Sequence, residues 1–193
     1  MKMKKRMLGL AALLLILLVA ACSSDEQENE STNENEESNE SSEEMDHSEM
    51  NHSSSGEVPD DLEEAEDPSY EVDSTAVMNA DHMPGMDGAE ATISGAFDTV
   101  AYVVSYDPTN GGERVEDHKW VIHEELEDPG EAPLEEGAEV TLNASHMEGM
   151  EGAEATIDSA EETTVYMVDF EPTDGGEKVE NHKWVTESEL SDE

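Results

Sequence analysis

The sequence has a single cysteine, few basic residues and few aromatic residues. One cysteine cannot form a disulfide within the chain, and it excludes the usual cysteine-based zinc sites. Only 8 Lys and Arg stand against 52 Asp and Glu, so the formal net charge is −44 and the chain lacks the cations that nucleic-acid phosphates require. Aromatic residues make up only 4% of the 193 residues. One large core is therefore excluded, and we expect part of the chain to be disordered.

The first 21 residues are typical of a lipoprotein signal peptide. Basic residues at positions 2 to 6 precede an apolar run from Leu8 to Ala21, which is too short for an ordinary transmembrane helix. The run ends in LVAAC, which resembles a bacterial lipobox and places the only cysteine, Cys22, at the position that is lipidated. An ordinary cleavage site with a chance cysteine is the alternative. We expect acyl chains on Cys22 to anchor the protein to the outer face of the membrane.

Residues 22–67 predict a disordered acidic linker. From Ser23 to Asp67 there is no Lys or Arg, and apolar residues recur with neither a helical nor a strand period. One tract in this linker, MDHSEMNH, combines thioether and imidazole groups, which together suit copper. Chance composition is the alternative. The candidate copper ligands in the tract are Met45, His47, Met50 and His52.

After Pro68 the chain contains one unit twice. Residues 82–126 align without gaps on residues 146–190, at an offset of 64, and 27 of the 45 aligned positions are identical by count. Apolar and polar residues alternate in short stretches of each copy, which predicts strands around Ile93 and Tyr102 and around Ile157 and Tyr166. We therefore predict an all-β protein with two tandem small SH3-like barrels, residues 68–131 and residues 132–193.

Each copy carries a loop with one histidine and two methionines, and a second histidine in a His-Lys-Trp triplet. If loop and triplet meet, each copy offers two imidazoles and two thioethers, a donor set for Cu(I). Methionines that fill gaps in a core are the alternative. The candidate metal ligands are His82, Met83, Met86 and His118 in the first copy, and His146, Met147, Met150 and His182 in the second.

The combination of HMxGMxGAEATI, a Pro-Thr-x-Gly-Gly turn and His-Lys-Trp-Val occurs in both copies and resembles the YdhK family of Gram-positive lipoproteins. The resemblance covers residues 56–190. It implies a signal peptide, an acidic linker and a duplicated domain on the surface of a Gram-positive bacterium. Some similar proteins, the copper-associated surface lipoproteins of staphylococci, are linked to copper binding and resistance.

The sequence contains no motif of a serine hydrolase, zinc protease or phosphate-binding loop, and we predict that the protein is not an enzyme. The leading hypothesis is a lipid-anchored protein that binds or buffers copper outside the membrane. The alternative is a non-enzymatic SH3-like module that engages the cell wall or a partner protein.

Overall fold

The computed structural model describes residues 52–192, which belong to one compact unit built from strands. Two short 3-10 helices, His123–Glu125 and Glu187–Glu189, occupy equivalent positions in the two repeats. In this range no helix has the length and apolar character needed to cross a membrane. The strands are β1 (Glu63–Glu64), β2 (Thr75–Met78), β3 (Glu90–Tyr106), β4 (Val115–Ile122), β5 (Glu139–Thr141), β6 (Glu154–Phe170), β7 (Val179–Thr186) and β8 (Leu190–Ser191).

Two long strands, β3 and β6, form the centre of the sheet. Each has 17 residues, and they pair antiparallel along almost their whole length, from Ala91 opposite Phe170 to Tyr106 opposite Ala155. The sequence predicts two strands in each of these stretches, but the structure has one. At about 3.3 Å per residue, each strand extends over roughly 50 Å, too far for one side of a single small barrel.

Each hydrophobic core draws on both repeats, because antiparallel pairing sets the start of β3 beside the end of β6. The first core contains Ala76, Met78, Ala80, Met86, Ala89, Ala91, Ile93 and Ala96 from repeat 1 and Tyr166, Val168, Phe170, Val179, Val185 and Leu190 from repeat 2. The second core contains Val100, Tyr102, Val104, Tyr106, Val121 and Leu126 from repeat 1 and Leu142, Ala144, Met150, Ala153, Ala155 and Ile157 from repeat 2. The predicted boundary at residue 131 therefore does not separate two cores.

A third core links the two halves of the sheet. It contains both tryptophans, Trp120 and Trp184, and Phe97, whose ring centre lies 5.7 Å from that of Trp184 in an edge-on arrangement. Short strands also pair across the repeats. Strand β8, at the end of repeat 2, pairs with β2 of repeat 1. At the equivalent position, Leu126 forms a bridge with Leu142.

Strands β4 and β7 each contain a shift of pairing register beside one histidine, His118 in β4 and His182 in β7. From Tyr102 to Val104, β3 advances by two residues, whereas the paired stretch of β4, from Val121 back to His118, spans three. The extra residue in β4 is a β-bulge. Strand β7 has the same irregularity beside His182. The residues just before the two histidines, Asp117 and Asn181, have φ of 52° and 53°. Asp and Asn adopt this left-handed conformation more readily than other residues with a side chain.

The last part of the predicted linker is docked on the sheet. Strand β1 pairs with β3, Leu62 is buried in the third core, and the Lys183 ammonium donates a hydrogen bond to the Glu57 carbonyl. Burial of Leu62 and the polar contacts of residues 53–57 hold this stretch on the sheet despite its acidic composition. Residues 22–51 of the predicted linker lie outside the described residues, as does the predicted signal peptide.

The all-β class predicted from the sequence is confirmed. Strand alternation around Ile93, Tyr102, Ile157 and Tyr166 is present, within one sheet of eight strands in residues 52–192. The organisation differs from the expectation of one core per repeat, because β3 and β6 pair with each other along their length. Closure of either half into an SH3-like barrel stays a prediction.

Candidate metal centre

The two Met/His loops are tight turns, and each is held by the other repeat. In the first loop, residues 82–86, Gly85 has φ of 76° and its carbonyl accepts a hydrogen bond of 2.8 Å from the Thr173 N–H. A Cβ on Gly85 would lie 2.7 Å from the Pro172 ring, so glycine is required for this approach. In the second loop, residues 146–150, the Gly149 carbonyl accepts from the Thr109 N–H at 2.9 Å.

A buried carboxylate orients the histidine of the first loop. The distance between His82 Nε2 and Glu189 Oε1 is 2.6 Å, and Trp120 Nε1–H donates to the other oxygen, Oε2, at 2.8 Å. The Thr186 N–H also donates to Oε2. Both His82 and Trp120 belong to repeat 1, whereas Glu189 belongs to repeat 2. One carboxylate of the second repeat therefore fixes two side chains of the first.

The second loop has the reciprocal arrangement. His146 Nε2 lies 2.8 Å from Glu125 Oε1, and Trp184 Nε1–H donates to Glu125 Oε2 at 3.0 Å. The Ile122 N–H donates to the same oxygen at 3.3 Å. Here the carboxylate comes from repeat 1 and the histidine and tryptophan come from repeat 2. The two loops are therefore equivalent in their carboxylate partners.

Both carboxylates are held in the ionised form. Burial alone would raise the pKa of Glu125, but the charge of His146 and the hydrogen bonds from His146, Trp184 and the backbone lower this pKa below its ordinary value. For Glu189, burial again acts to raise the pKa, and the hydrogen bond and charge of His82 outweigh it. In the neutral form of each ring, an ionised carboxylate beside Nε2 favours the tautomer that has its proton on Nε2 and its lone pair on Nδ1.

The bulge histidine of the first repeat, His118, lies beside the loop of the second repeat. The ring centres of His118 and His146 are 6.2 Å apart. Burial lowers the pKa of His118 to about 3, with further lowering by the charges of His146 and His82. Burial also lowers the pKa of His182 to about 3, and the largest charge effect comes from His82. Both bulge imidazoles are neutral at pH 7, which is the form that binds metals.

Several imidazole nitrogens are buried without a hydrogen-bond partner. Among the residues that the structure describes, these are Nδ1 of His82, Nε2 of His118, Nδ1 of His146 and both ring nitrogens of His182. Buried polar atoms are almost always hydrogen-bonded, because desolvation without a partner costs about 1–3 kcal/mol. Such a concentration of unpaired nitrogens at related positions is typical of a site that takes a ligand.

The four loop methionines fall into two classes. Met86 and Met150 are fully buried in the first and second cores, where Met86 lies with Ile93 and Met150 with Ile157. Core packing of methionines is the alternative stated in the sequence analysis, and it applies to these two residues. Met83 and Met147 are only partly buried.

The sulfur of Met147 also accepts a hydrogen bond from the Tyr106 hydroxyl at 3.8 Å. Tyr106 in turn lies edge-on to His118, with ring centres 5.9 Å apart. The thioether of Met147 therefore lies near His118, the bulge histidine of the other repeat.

The partly buried methionines face open clefts. A cleft of about 950 Å³ is lined by His146, Met147 and His52, among others. An equivalent cleft of about 560 Å³ is lined by His82 and Met83. Met83 and Met147 therefore line the clefts, with Met83 also packed against the first core, whereas Met86 and Met150 are fully buried.

The structure places one triplet histidine, His118, beside a loop histidine of the other copy, whereas the sequence predicts that loop and triplet meet within each copy. The charge of His82 acts on the pKa values of both His118 and His182, so it does not assign His82 to one of them. Residues 52–192 contain no group of three or more His, Cys, Asp or Glu side chains arranged closely enough to hold a metal. The ring distance therefore defines one pair of imidazoles, His118 and His146, with the thioether of Met147 nearby. Met45, His47, Met50 and Cys22 lie outside the described residues.

Sequence reasoning missed Glu125 and Glu189. The chain has 52 acidic residues, so these two glutamates do not stand out from the others in the sequence. A signal was present in the repeat, because the two glutamates align at the offset of 64 although three of the four positions before them differ. Each is followed directly by a leucine, Leu126 or Leu190, that packs in a core.

Comparison with known proteins assigns this arrangement to a family. The family described as "Protein of unknown function (DUF1541)" matches residues 72–123 and 136–187, one match for each repeat. The chain therefore belongs to the DUF1541 family, a duplicated all-β domain.

Within this family, the chain is 54% identical over 191 residues to the "Uncharacterized protein YdhK" of Bacillus subtilis (strain 168). The alignment covers 99% of this chain and 91% of that protein. The resemblance to the YdhK family that the sequence motifs indicate is confirmed.

Two solved structures of the Bacillus subtilis protein are similar to this chain. A crystal structure of the DUF1541 family protein (ydhK) at 2.00 Å resolution has 61% identity and a TM-score of 0.72, and the match covers 76% of this chain and all of that one. A solution NMR structure of the ydhK C-terminal domain has 64% identity and a TM-score of 0.60, over 63% of this chain and 92% of that one. The all-β fold is therefore shared with experimentally determined relatives.

Proposed function

We propose that the protein is a non-enzymatic, cell-surface lipoprotein that binds copper at two sites, each composed of both repeats. The observation that carries the proposal is the state of the loop histidines. A carboxylate holds Nε2 of His82 and of His146, while Nδ1 of each ring is buried without a partner. Histidines that bind metals usually have one nitrogen held by a carboxylate or carbonyl and the other on the metal.

Each site contains one loop imidazole, one bulge imidazole and one thioether. The second site has His146, His118 and Met147. The equivalent positions of the repeats assign His82, His182 and Met83 to the first site. Two neutral nitrogens and one neutral sulfur suit a soft monovalent ion, and Cu(I) accepts such a low coordination number. Hard ions such as Ca²⁺ require six to eight oxygen ligands instead.

The spacing of the rings supports the same ion. Two imidazoles that bind one ion from opposite sides, with nitrogen–metal distances near 2.0 Å, have ring centres about 6 Å apart. The rings of His118 and His146 are 6.2 Å apart. A near-linear pair of imidazoles is a geometry that Cu(I) favours, and Met147 is the additional donor on the open side of the cleft.

The proposed location rests on the lipobox. Without residues 1–21 the chain has 52 acidic and 4 basic residues, a formal charge of −48. Such a chain is repelled by anionic lipid, so acyl chains on Cys22 are what would hold it at the membrane. Copper would then be bound outside the cell, before it reaches the membrane.

Anaerobic titration with Cu(I) in the presence of a chromophoric competitor tests the proposal. The protein for this test is the mature chain, residues 22–193, with Cys22→Ser so that no free thiol competes for copper. We expect two ions bound by the folded domain, and loss of one ion for each of His82→Ala and His146→Ala. Absence of binding would favour the alternative, a module that engages the cell wall or a partner protein.

The chain offers a control histidine outside the sites. His123 contacts the Tyr102 hydroxyl at 3.0 Å, and the second repeat has Glu187 at the equivalent position, where it accepts from the Tyr166 hydroxyl at 3.2 Å. The substitution His123→Glu therefore copies a contact that the other repeat already makes. Copper stoichiometry should be unchanged in this variant. An equal loss of copper in His123→Glu and His146→Ala would show that histidines bind without a defined site.

A further inference from the structure

Tyr106 and Phe170 occupy equivalent positions in the two repeats and differ by one hydroxyl group. Both side chains are buried, and each ring lies edge-on to a bulge histidine. The ring centre of Tyr106 is 5.9 Å from that of His118. The ring centre of Phe170 is at the same distance, 5.9 Å, from that of His182. The two rings are therefore placed alike beside the bulge histidines, and the hydroxyl is what distinguishes them.

The hydroxyl of Tyr106 holds a thioether of the other repeat. It donates a hydrogen bond to Sδ of Met147 at 3.8 Å. Burial raises the pKa of Tyr106 above its ordinary value, so the hydroxyl keeps the proton that it donates. A methionine side chain has several rotatable bonds and adapts its position easily, and a hydrogen bond to the sulfur restricts this freedom. The position of the Met147 sulfur is therefore set from repeat 1.

The thioether is held close to two imidazoles. The ring centres of His118 and His146 are 6.2 Å apart, and each ring has one nitrogen that is buried without a hydrogen-bond partner, Nε2 of His118 and Nδ1 of His146. Tyr106 contacts His118 through its ring and Met147 through its hydroxyl. Met147 directly follows His146 in the chain. One side chain of repeat 1 therefore contacts two of the donors of the second site, and the third donor is the chain neighbour of the thioether.

The other half of the protein has no such contact. Phe170 has no hydroxyl to hold Met83, which packs against the first core. Within residues 52–192, the ring contacts of His182 are with Phe170 and His52, and none is with the loop histidine His82. The duplication therefore gives two equivalent sets of residues, and the set with the hydroxyl is the one whose donors lie together.

We propose that Tyr106 is a positioning residue of the second site, and that it makes this site bind copper more tightly than the first. The inference rests on the copper-binding function proposed above. A donor that is held in place before the ion arrives loses less conformational freedom on binding, so more of the interaction energy appears as affinity. Thioether sulfur has a second lone pair, so it can accept from the hydroxyl and bind Cu(I) at the same time.

A matched pair of tyrosine substitutions in the mature Cys22→Ser chain tests the role of the hydroxyl. Tyr106→Phe removes it and copies the residue that repeat 2 has at this position. In anaerobic competitor titration we expect the tighter Cu(I) step to weaken by about two- to twelvefold, the cost of immobilising one side chain on binding. Tyr102→Phe is the control, because its ring is buried in the same core but its hydroxyl contacts His123 and the Leu134 N–H instead. The control should bind like the parent chain, and an equal loss in both variants would overturn the proposal.

The indole of Trp184 reports on the second site, because its N–H donates to Glu125, which also contacts His146. Trp120 has the reciprocal relation to the first site. In ¹H–¹⁵N spectra of the parent chain, the first equivalent of Cu(I) should shift the Trp184 indole signal and the second should shift that of Trp120. The reverse order, or simultaneous shifts, would contradict the tighter binding at the second site.

A double-mutant cycle separates positioning of the thioether from a general effect on packing. Met147→Leu removes the sulfur and approximately keeps the volume. In this background Tyr106→Phe should weaken binding at the second site no further, because no sulfur is left to hold. Additive losses would show that Tyr106 acts through packing and would overturn the proposal.

A measurement without copper separates this inference from the proposed function. In the copper-free protein, the methyl signal of Met147 should shift in Tyr106→Phe, whereas that of Met83 should not. An unchanged Met147 signal would show that the hydroxyl does not hold the sulfur. A parent chain that binds no Cu(I) contradicts the function itself, whereas equal Cu(I) affinity of the parent chain and Tyr106→Phe contradicts the role of Tyr106 alone.

Discussion

Trp184 of the second repeat donates its indole N–H to Glu125 of the first, and Glu125 also contacts His146 of the second repeat. The same three residue types form the reciprocal contact at Trp120, Glu189 and His82. Each carboxylate therefore links the third core to one loop of the proposed copper site. Packing between the halves and orientation of the ligands depend on the same two side chains.

Replacement of the central carboxylate should lower both stability and copper affinity. Glu125→Gln keeps the shape but removes the charge that holds His146, and we expect a loss of about 1–3 kcal/mol in the free energy of unfolding. Chemical denaturation of the copper-free protein measures it. Glu127→Gln is the control, because Glu127 is exposed and only its backbone N–H makes a hydrogen bond. Equal stability of the two variants would contradict the structural role of Glu125.

The methionines of one loop should respond differently to the same substitution. Met150→Leu changes a fully buried core residue, so it should cost less than about 1.5 kcal/mol of stability and leave copper binding intact. Met147→Leu removes the sulfur of a residue that lines the cleft and accepts from the Tyr106 hydroxyl, so it should weaken Cu(I) binding while the protein still folds. Competitor titration of both variants distinguishes them. Loss of copper in Met150→Leu alone would reverse the assignment.

The pairing of Met86 and Met83 in the first loop offers an independent repetition of this experiment. Met86 is buried in the first core and Met83 lines the smaller cleft. Met83→Leu should therefore reduce copper affinity at the first site, and Met86→Leu should not.

The approach of the first loop to the Pro172 turn should tolerate only glycine. Gly85 and Gly88 have nearly the same φ, 76° and 75°, but a Cβ on Gly88 meets nothing within 4 Å. Gly88→Ala should therefore show only the backbone cost of about 1–2 kcal/mol. Gly85→Ala adds the clash with Pro172 and should lower the melting temperature further. Equal melting temperatures would show that the loop moves away without cost.

Stability should fall in alkaline solution through a buried tyrosine. Burial and the charge of Glu187 raise the pKa of Tyr166 from 10.0 to about 12. Between these pH values the unfolded tyrosine loses its proton and the folded one keeps it. This contribution to stability is therefore complete below pH 10 and lost as the pH rises towards 12. Denaturant unfolding on both sides of this window measures the loss, and Tyr166→Phe should reduce it. An identical pH dependence in the variant would place the effect elsewhere.

Membrane association should depend on one residue. Cys22→Ala removes the atom that would carry the acyl chains, so the protein should move from the membrane fraction to the medium or the soluble fraction. Immunoblotting of fractionated cells measures the distribution. Continued association of Cys22→Ala with the membrane would show that the lipobox interpretation is wrong.

The sequence predicts strand positions well where apolar residues alternate, as around Tyr102 and Tyr166. It does not predict that β3 continues through Ser94 and Gly95, because these residues indicate a break by themselves. Pairing with β6 on the other side of the register shift keeps the strand extended. Local pattern therefore defines the strand residues, and tertiary pairing defines where each strand ends.

The candidate site was predictable in composition but not in connectivity. The repeated HMxGM loop and the His-Lys-Trp triplet identify the histidines from the sequence alone. That His118 belongs with His146 rather than with His82 follows from the exchange of strands between the repeats, which no periodicity encodes. The bulge at Asp117 is equally hidden, since Asp in an acidic chain is not distinctive.

The exchange of strands has a consequence for the order of folding. The apolar face around Ala91 and Ile93 is completed only by Val168 and Phe170 of the second repeat. A chain that becomes available for folding from its N-terminus onwards cannot close either core until the second repeat has followed. An isolated single repeat would have to associate with another copy through the same long strand to bury these residues, which is the geometry of a symmetric dimer. The smallest unit able to fold is therefore the pair of repeats.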